Sequence, residues 1–240
     1  MNIITTLLKS KSEERNNEYI DCFKNNDKNK YIKSITILSE DKKVQTLIKN
    51  TKIKLVFIDT RPTFRIIIDY INNNFSINET IILTNADIYF DDTLQYINFN
   101  KEYAYCLTRW HKYTTDGEWT HAILGACHDT WILKTPIIID NIDFGLGVLG
   151  CDSRFSYQTF DAGYLPINPS HLIKCYHLHV SNLRIWRREN ILCGNYLGID
   201  PTKKVEYIKE NIFTYNGQIL RGKYTTTEYD YIFKDKYVKI

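Results

Sequence analysis

Thr80-Ile81-Ile82-Leu83-Thr84-Asn85-Ala86-Asp87-Ile88-Tyr89-Phe90-Asp91-Asp92 is the stretch on which the reading of this chain turns. Thr80–Thr84 is apolar and β-branched at its centre, which reads as a strand buried on both faces of a parallel sheet. An amide and a carboxylate follow at once, with one small residue between them. Polar groups just beyond the carboxyl end of such a strand are where open α/β sheets collect ligands. Asp91 or Asp92 is then placed to cap a short helix running through Ile97.

Upstream, residues 2–8 (NIITTLL) read as a first strand, and Ser12–Asn26 as an amphipathic helix. Ser12 is its N-cap, Glu13 and Glu14 suit its first turn, and Tyr19, Ile20 and Phe23 form its apolar stripe. Tyr31–Leu38 is a second strand, Lys43–Ile48 a short helix and Ile53–Ile58 a third strand. Pro62 suits the first turn of a helix whose buried face is Phe64, Ile67, Ile68 and Ile71. Tyr103–Leu107 adds a strand after Thr80–Thr84. Strands and helices thus alternate, which predicts an α/β fold with a mostly parallel central sheet flanked by helices.

Beyond Lys112 the pattern loosens. Ala122–Cys127 and Thr130–Leu133 read as strands. Asp152–Ala162 reads as a helix that starts on an aspartate and stops at Gly163. Leu172–His179 alternates, placing Cys175, His177 and His179 on one face. The expected division is a main unit of residues 1–199, with halves of about 1–110 and 111–199, followed by a polar, tyrosine-rich extension over 200–240. That extension either packs on the unit or leads to a further domain.

With 43% hydrophobic and 25% charged residues the chain is of ordinary globular composition, and 240 residues suffice for one large α/β core. No run approaches the ~20 apolar residues of a membrane span, and residues 1–15 show neither the basic leader nor the apolar core expected of a signal peptide. The net charge of +3 is too mild for a nucleic-acid partner. The 6 cysteines form no C-x-x-C pair, which reads as a reducing, cytoplasmic setting without a zinc ribbon. The sequons at Asn74 and Asn78 carry no weight without secretion.

Chemistry concentrates in few places. Asp87 can coordinate Mn²⁺ or Mg²⁺ on a substrate phosphate, with Asn85 as a hydrogen-bonding neighbour; the plainer reading of Asn-Ala-Asp is a turn. His177 and His179, at i and i+2, can turn two imidazoles to one side, and imidazole is a good ligand for Mn²⁺-like ions. Asp152 sits at a helix start, where it either caps or serves as a base. The helix dipole would lower its pKa and weaken it in the second role.

The ordered motifs TNADIYFDDTL (84–94), CLTRW (106–110), HDTWILKTP (128–136), FGLGVLGCDSR (144–154), GYLPINPS (163–170) and YHLHVSNLR (176–184) together resemble small GT-A glycosyltransferases. The likeness is to those of large DNA viruses, including giant algal and amoebal viruses, and of some bacteria, where such a domain often belongs to a longer chain. The resemblance spans roughly residues 2–186. It implies a GT-A (Rossmann-like) fold and transfer of a sugar from a nucleotide-sugar donor, a UDP-sugar foremost, to a glycan or glycoconjugate acceptor. It also implies Mn²⁺ or Mg²⁺ on the diphosphate, and a location in the cytoplasm, or a viral factory for a viral protein. By the same resemblance Asn85-Ala86-Asp87 matches the metal motif, with Asn in place of its usual first Asp. His179 or His177 completes the metal site. Thr5 and Thr6 match the nucleotide-binding edge, with Arg15 and Arg61 as further donor-binding candidates. Arg109 and Trp110 border the sugar, Asp129 and Arg154 are further sugar contacts, and Asp152 matches the general base of inverting members.

Two rival readings compete with this one. A nucleotidyltransferase would carry an N-terminal glycine-rich phosphate loop, yet the first glycine is Gly117; the dinucleotide fingerprint is likewise absent. A catalytically silent carbohydrate-binding or assembly domain is the other, suggested by Asn85 and the tyrosine-rich tail. Residues 111–128, with Trp119 available for stacking, are expected near the acceptor.

Overall fold

A computed structural model describes residues 1–48, 52–98, 100–112, 114–122, 127–181, 183, 191–216 and 238–239. The first strand, β1 (Asn2–Thr6), leads into α1 (Glu13–Lys28), where Ser12 caps by accepting from the Arg15 N–H. Strands β2 (Ser34–Ser39) and β3 (Ile53–Phe57) flank a 3₁₀ turn at Lys42–Leu47. Helix α2 (Phe64–Asn74) buries Phe64, Ile67, Ile68 and Ile71, the face that the spacing predicts. Pro62 lies outside this helix: Thr63 is the N-cap and accepts from the Ile66 N–H at 3.3 Å, so the proline precedes the cap.

Strand β4 (Thr80–Thr84) is buried at every position, and β5 (Ile88–Phe90) follows it after the Asn85–Asp87 turn. Asp91 then caps a 3₁₀ turn over Asp92–Tyr96. Next come β6 (Tyr103–Thr108), β7 (Trp110–His111), β8 (Thr120–His121) and β9 (His128–Lys134). The strand expected over Ala122–Cys127 has its middle, 123–126, outside the described residues. The rest comprises α3 (Cys151–Asp161), β10 (Leu165–Ile167), β11 (Cys175–His177), β12 (Asn195–Ile199), β13 (Ile212–Asn216) and β14 (Val238–Lys239).

The main sheet has 7 strands in the order β10-β6-β9-β4-β1-β2-β3. All are parallel except β9, which runs against both of its neighbours. Alternation along each strand divides the core. Ile4, Ile81, Leu83, Cys106 and Trp131 face α2 and α3, whereas Ile3, Ile35, Ile37, Ile82 and Ile132 face the α1 side with Phe23. Phe64 of α2 stacks on Phe155 of α3 at 4.1 Å, and both meet Trp131 edge-on at 5.6 and 5.2 Å. The buried Trp131 indole N–H donates to Ser156 Oγ at 2.9 Å, so this aromatic joint leaves no donor unmet.

A second sheet, β5-β11-β7-β8, carries the chain away from the end of β4. Helix α1 pins it: Asn26 donates to the Ile88 carbonyl and accepts from the Phe90 N–H, while Asn29 donates to the Phe90 and Asp91 carbonyls. A third sheet, β12-β13-β14, adds Leu197, Ile199 and Ile212 to the core beside α2 and α3. Among the described residues no helix is long and apolar enough to cross a membrane.

Candidate active site

The strand order makes the site. Strand β1 lies between β2 and β4, so the chain leaves it in opposite directions on either side, opening a crevice beyond the carboxyl ends. Thr5 and Thr6 end β1, Asn85–Asp87 follow β4, and Arg109 follows β6. Because β9 is antiparallel, its first residues, His128 and Asp129, arrive at that same edge. Its register sets Thr130 against Thr84, and the Asn85 N–H donates to the Asp129 carbonyl at 3.3 Å.

Two clusters form there. In the first, Asp87, His177 and His179 offer ligand atoms that all lie within 4.8 Å of one another. Asp87 is 6% exposed. Its Oδ2 accepts from Arg15 Nη2 and from His177 Nε2, the latter at 3.0 Å. Its Oδ1 is enclosed and has no hydrogen-bond partner among the described residues. Burial alone would raise this carboxyl, but His177 and Arg15 outweigh it and hold Asp87 ionised, far below the usual carboxylate range. His179 Nε2 donates to the Leu183 carbonyl at 3.0 Å, which leaves Nδ1 with its lone pair, 4.0 Å from Asp87 Oδ2. Burial, and then the charge on Arg15, lower the His179 pKa to about 4, so the ring is neutral at pH 7.

A lone pair facing a carboxylate, beside an unmet buried carboxylate oxygen, is a donor set short of a cation. A divalent ion with Asp87 and His179 as ligands, joined by His177, fits these residues. Two imidazoles and one carboxylate suit Mn²⁺ better than Mg²⁺.

In the second cluster Asp129, 3% exposed, accepts from Arg109 Nη1 at 2.8 Å and from Asn85 Nδ2 at 2.9 Å. The Asn85 side chain thus braces the Arg109–Asp129 pair. Asp152 stands in the first turn of α3 but does not cap it. Gly150 is the N-cap, at φ +83°, where a Cβ would run into the Tyr196 hydroxyl, and it makes no side-chain cap bond. Asp152 Oδ1 accepts from Cys151 Sγ at 3.1 Å. Contrary to the dipole argument, the Asp152 pKa is pushed up to about 7, by burial first and then by the negative charge of Asp129, with Arg109 opposing. Desolvation and a like charge outweigh the helix terminus.

No family model matches the sequence, and no curated protein matches it. Among solved structures the fold is similar to that of the mannosyltransferase PcManGT from Pyrobaculum calidifontis in complex with GDP-Man and Mn²⁺. The TM-score is 0.50 at 11% identity, over 74% of this chain and 56% of that one. The two chains share a fold over the matched residues.

Within this fold the remaining candidates divide. Thr5 is buried, with its hydroxyl toward the Thr6 carbonyl at 3.5 Å, and Thr6 is half-buried at the strand end. Arg15 is 7% exposed and bonded to Asp87, Glu18, Tyr19 and Leu178, so it braces the first cluster from behind. Arg61 donates to the Leu146 carbonyl at 3.3 Å, supporting the loop before α3. Arg154 donates to the Asn195 carbonyl at 2.9 Å and lies over the Tyr157 ring, which ties α3 to β12.

Trp110 donates to the Ser170 carbonyl at 2.8 Å and carries Lys174 over its ring. Trp119 packs edge-on against Tyr89 and Tyr176. Arg184 of the last motif, and 113 and 123–126 of the expected acceptor stretch, fall outside the described residues. Sequence reasoning missed Glu18 and Ser181, which join Arg15 behind the first cluster. The available signal was Arg15-x-x-Glu18, charged residues at helical spacing on the face that buries Cys22 and Phe23.

Proposed function

We propose that the protein is a metal-dependent glycosyltransferase that moves a sugar from a nucleoside-diphosphate donor to a hydroxyl of a glycan or glycoconjugate acceptor. The observation that carries the reading is the convergence of Asp87, His177 and His179 beyond β4, with an unmet carboxylate oxygen and a free imidazole lone pair. Residues 1–199 are the transferase unit. Its donor side is about 1–110, with Thr5 and Thr6 at the nucleotide edge; the acceptor side is 111–199; and 200–240 form an extension.

When bound, a divalent ion at this site supplies positive charge against the donor diphosphate as it leaves. Asp87 and His179, with His177, hold it. Arg109, bonded to Asp129, presents a guanidinium fixed in direction at the edge of the sugar site. Asp152 is the general base: with a pKa of about 7 it is basic enough to take the acceptor hydroxyl proton, and still substantially ionised at neutral pH. Attack by that hydroxyl from the Asp152 side, opposite the diphosphate, gives inversion at the anomeric carbon.

The first experiment is a thermal-shift screen of UDP-, GDP- and dTDP-sugars with and without Mn²⁺, followed by detection of released nucleoside diphosphate. UDP-sugars, and the GDP-sugars suggested by the GDP-Man of PcManGT, head the panel. Saturation at about a hundred times the dissociation constant adds ~2.7 kcal/mol to stability. A metal-dependent shift confined to one nucleotide class supports the reading. No shift with any donor, with or without Mn²⁺, refutes it.

A further inference from the structure

Helix α1 buries polar side chains where an amphipathic helix buries apolar ones: Arg15, Asn16 and Glu18 are each 7% exposed. Burying a carboxylate is costly unless its lone pairs are met. Those of Glu18 are: Oε2 accepts from Arg15 Nη1 at 2.6 Å and from Ser181 Oγ at 2.9 Å, and Oε1 accepts from the Ser181 N–H at 2.7 Å. Arg15 reaches Asp87 Oδ2 with Nη2, the Leu178 carbonyl with Nη1 at 3.2 Å and the Tyr19 hydroxyl with Nε at 3.0 Å.

These bonds bracket His179. The strand β11 ends at His177, so Leu178–Ser181 has no sheet partner along its length to hold it. On one side of His179 the Leu178 carbonyl is held by Arg15, and the Leu178 N–H donates to the Asp87 carbonyl at 2.8 Å. On the other side Ser181 is held through both its N–H and its hydroxyl by Glu18. The same Arg15 occupies Asp87 Oδ2, while Oδ1 has no hydrogen-bond partner among the described residues.

We propose that Glu18 is a positioning residue of the metal site. By joining Ser181 to the Arg15 that grips Asp87, it sets His179 Nδ1 and Asp87 Oδ1 toward one ion. The inference rests on reading Asp87, His177 and His179 as metal ligands. Docking of α1 does not depend on Glu18, because Asn26 and Asn29 pin the helix to β5 and Asn16 pins it to Ser10.

The test measures Mn²⁺ affinity without donor, by electron paramagnetic resonance and calorimetry, for wild type, Glu18→Ala, Glu18→Gln and Ser181→Ala. Circular dichroism and amide hydrogen exchange at Ser181 run alongside. Glu18→Ala is expected to stay folded, to weaken Mn²⁺ binding about 10–100-fold and to lose protection of the Ser181 amide. Glu18→Gln, whose amide oxygen still accepts from Ser181, is expected to recover part of the affinity. Should Glu18→Ala not fold, Ser181→Ala takes its place, with an expected loss of about 2–10-fold. A folded Glu18→Ala, or in its place Ser181→Ala, with wild-type Mn²⁺ affinity overturns the proposal. A wild-type protein that binds no Mn²⁺ overturns the metal reading and the role of Glu18 with it. That failure is visible in the wild type, the other only in the variant.

Discussion

Replacing Asp152 by Asn should stabilise this protein in alkaline solution while abolishing its activity. The folded carboxyl titrates at about 7, against an ordinary 3.8. Between those values the unfolded chain has released this proton and the folded chain still holds it, so stability falls as pH rises through the window. Above pH 7 the accumulated penalty reaches about 4 kcal/mol, at about 1.4 kcal/mol per pH unit. Below about pH 3 the carboxyl is neutral in both states and the penalty vanishes. Asn has no proton to lose. Urea unfolding of both proteins at about pH 3 and about pH 8 should therefore show a small difference at the lower pH. At the higher pH the variant should be more stable by about 2–4 kcal/mol, a rise in melting temperature of about 5–10 °C. Turnover should fall about 10²–10⁴-fold with donor binding intact. Equal stability of the two proteins at pH 8 would refute the electrostatic argument. Near-wild-type turnover of the variant would refute Asp152 as the base.

The other expectations follow from the same geometry. His179→Ala should remove the Mn²⁺-dependent part of any thermal shift; an unchanged shift would exclude it as a ligand. At equal concentration Mn²⁺ should raise the melting temperature more than Mg²⁺, because imidazole ligands favour the transition metal, and equal shifts would argue against histidine ligation. Arg109 lowers the Asp152 pKa, so Arg109→Gln should move the acidic limb of the activity profile to higher pH, by about one unit; a limb that stays in place would separate the two residues. Phe64→Ala removes the ring joining α2, α3 and Trp131 and should cost about 3–5 kcal/mol in urea unfolding.

Much of the scaffold was legible because its signals are local. Phe64, Ile67, Ile68 and Ile71 announce a buried helical face by spacing alone, and Thr80–Thr84 announces a doubly covered strand. Asp91-Asp92 announces a cap, which Asp91 supplies. Where a local rule had a competitor the reading shifted: Pro62, expected in the first turn of α2, lies before its cap Thr63, and Gly150 took the start of α3 because only a residue without a Cβ fits beneath Tyr196.

The sequence by itself determined the core elements β1–β4, β6, β9 and α1–α3, and that a carboxylate would stand beyond the central strand with two histidines elsewhere able to face one side. Only the tertiary structure decided what those groups are. It set β9 antiparallel, which brought Asp129 to Asn85 and Arg109 and pushed the Asp152 pKa up instead of down. It also placed Glu18 against Ser181, 163 residues away, behind the histidines. Periodicity and capping depend on neighbours a few residues apart, and composition carries them. Charge, burial and ligand geometry depend on distances between residues remote in the chain, which exist only once the chain has folded.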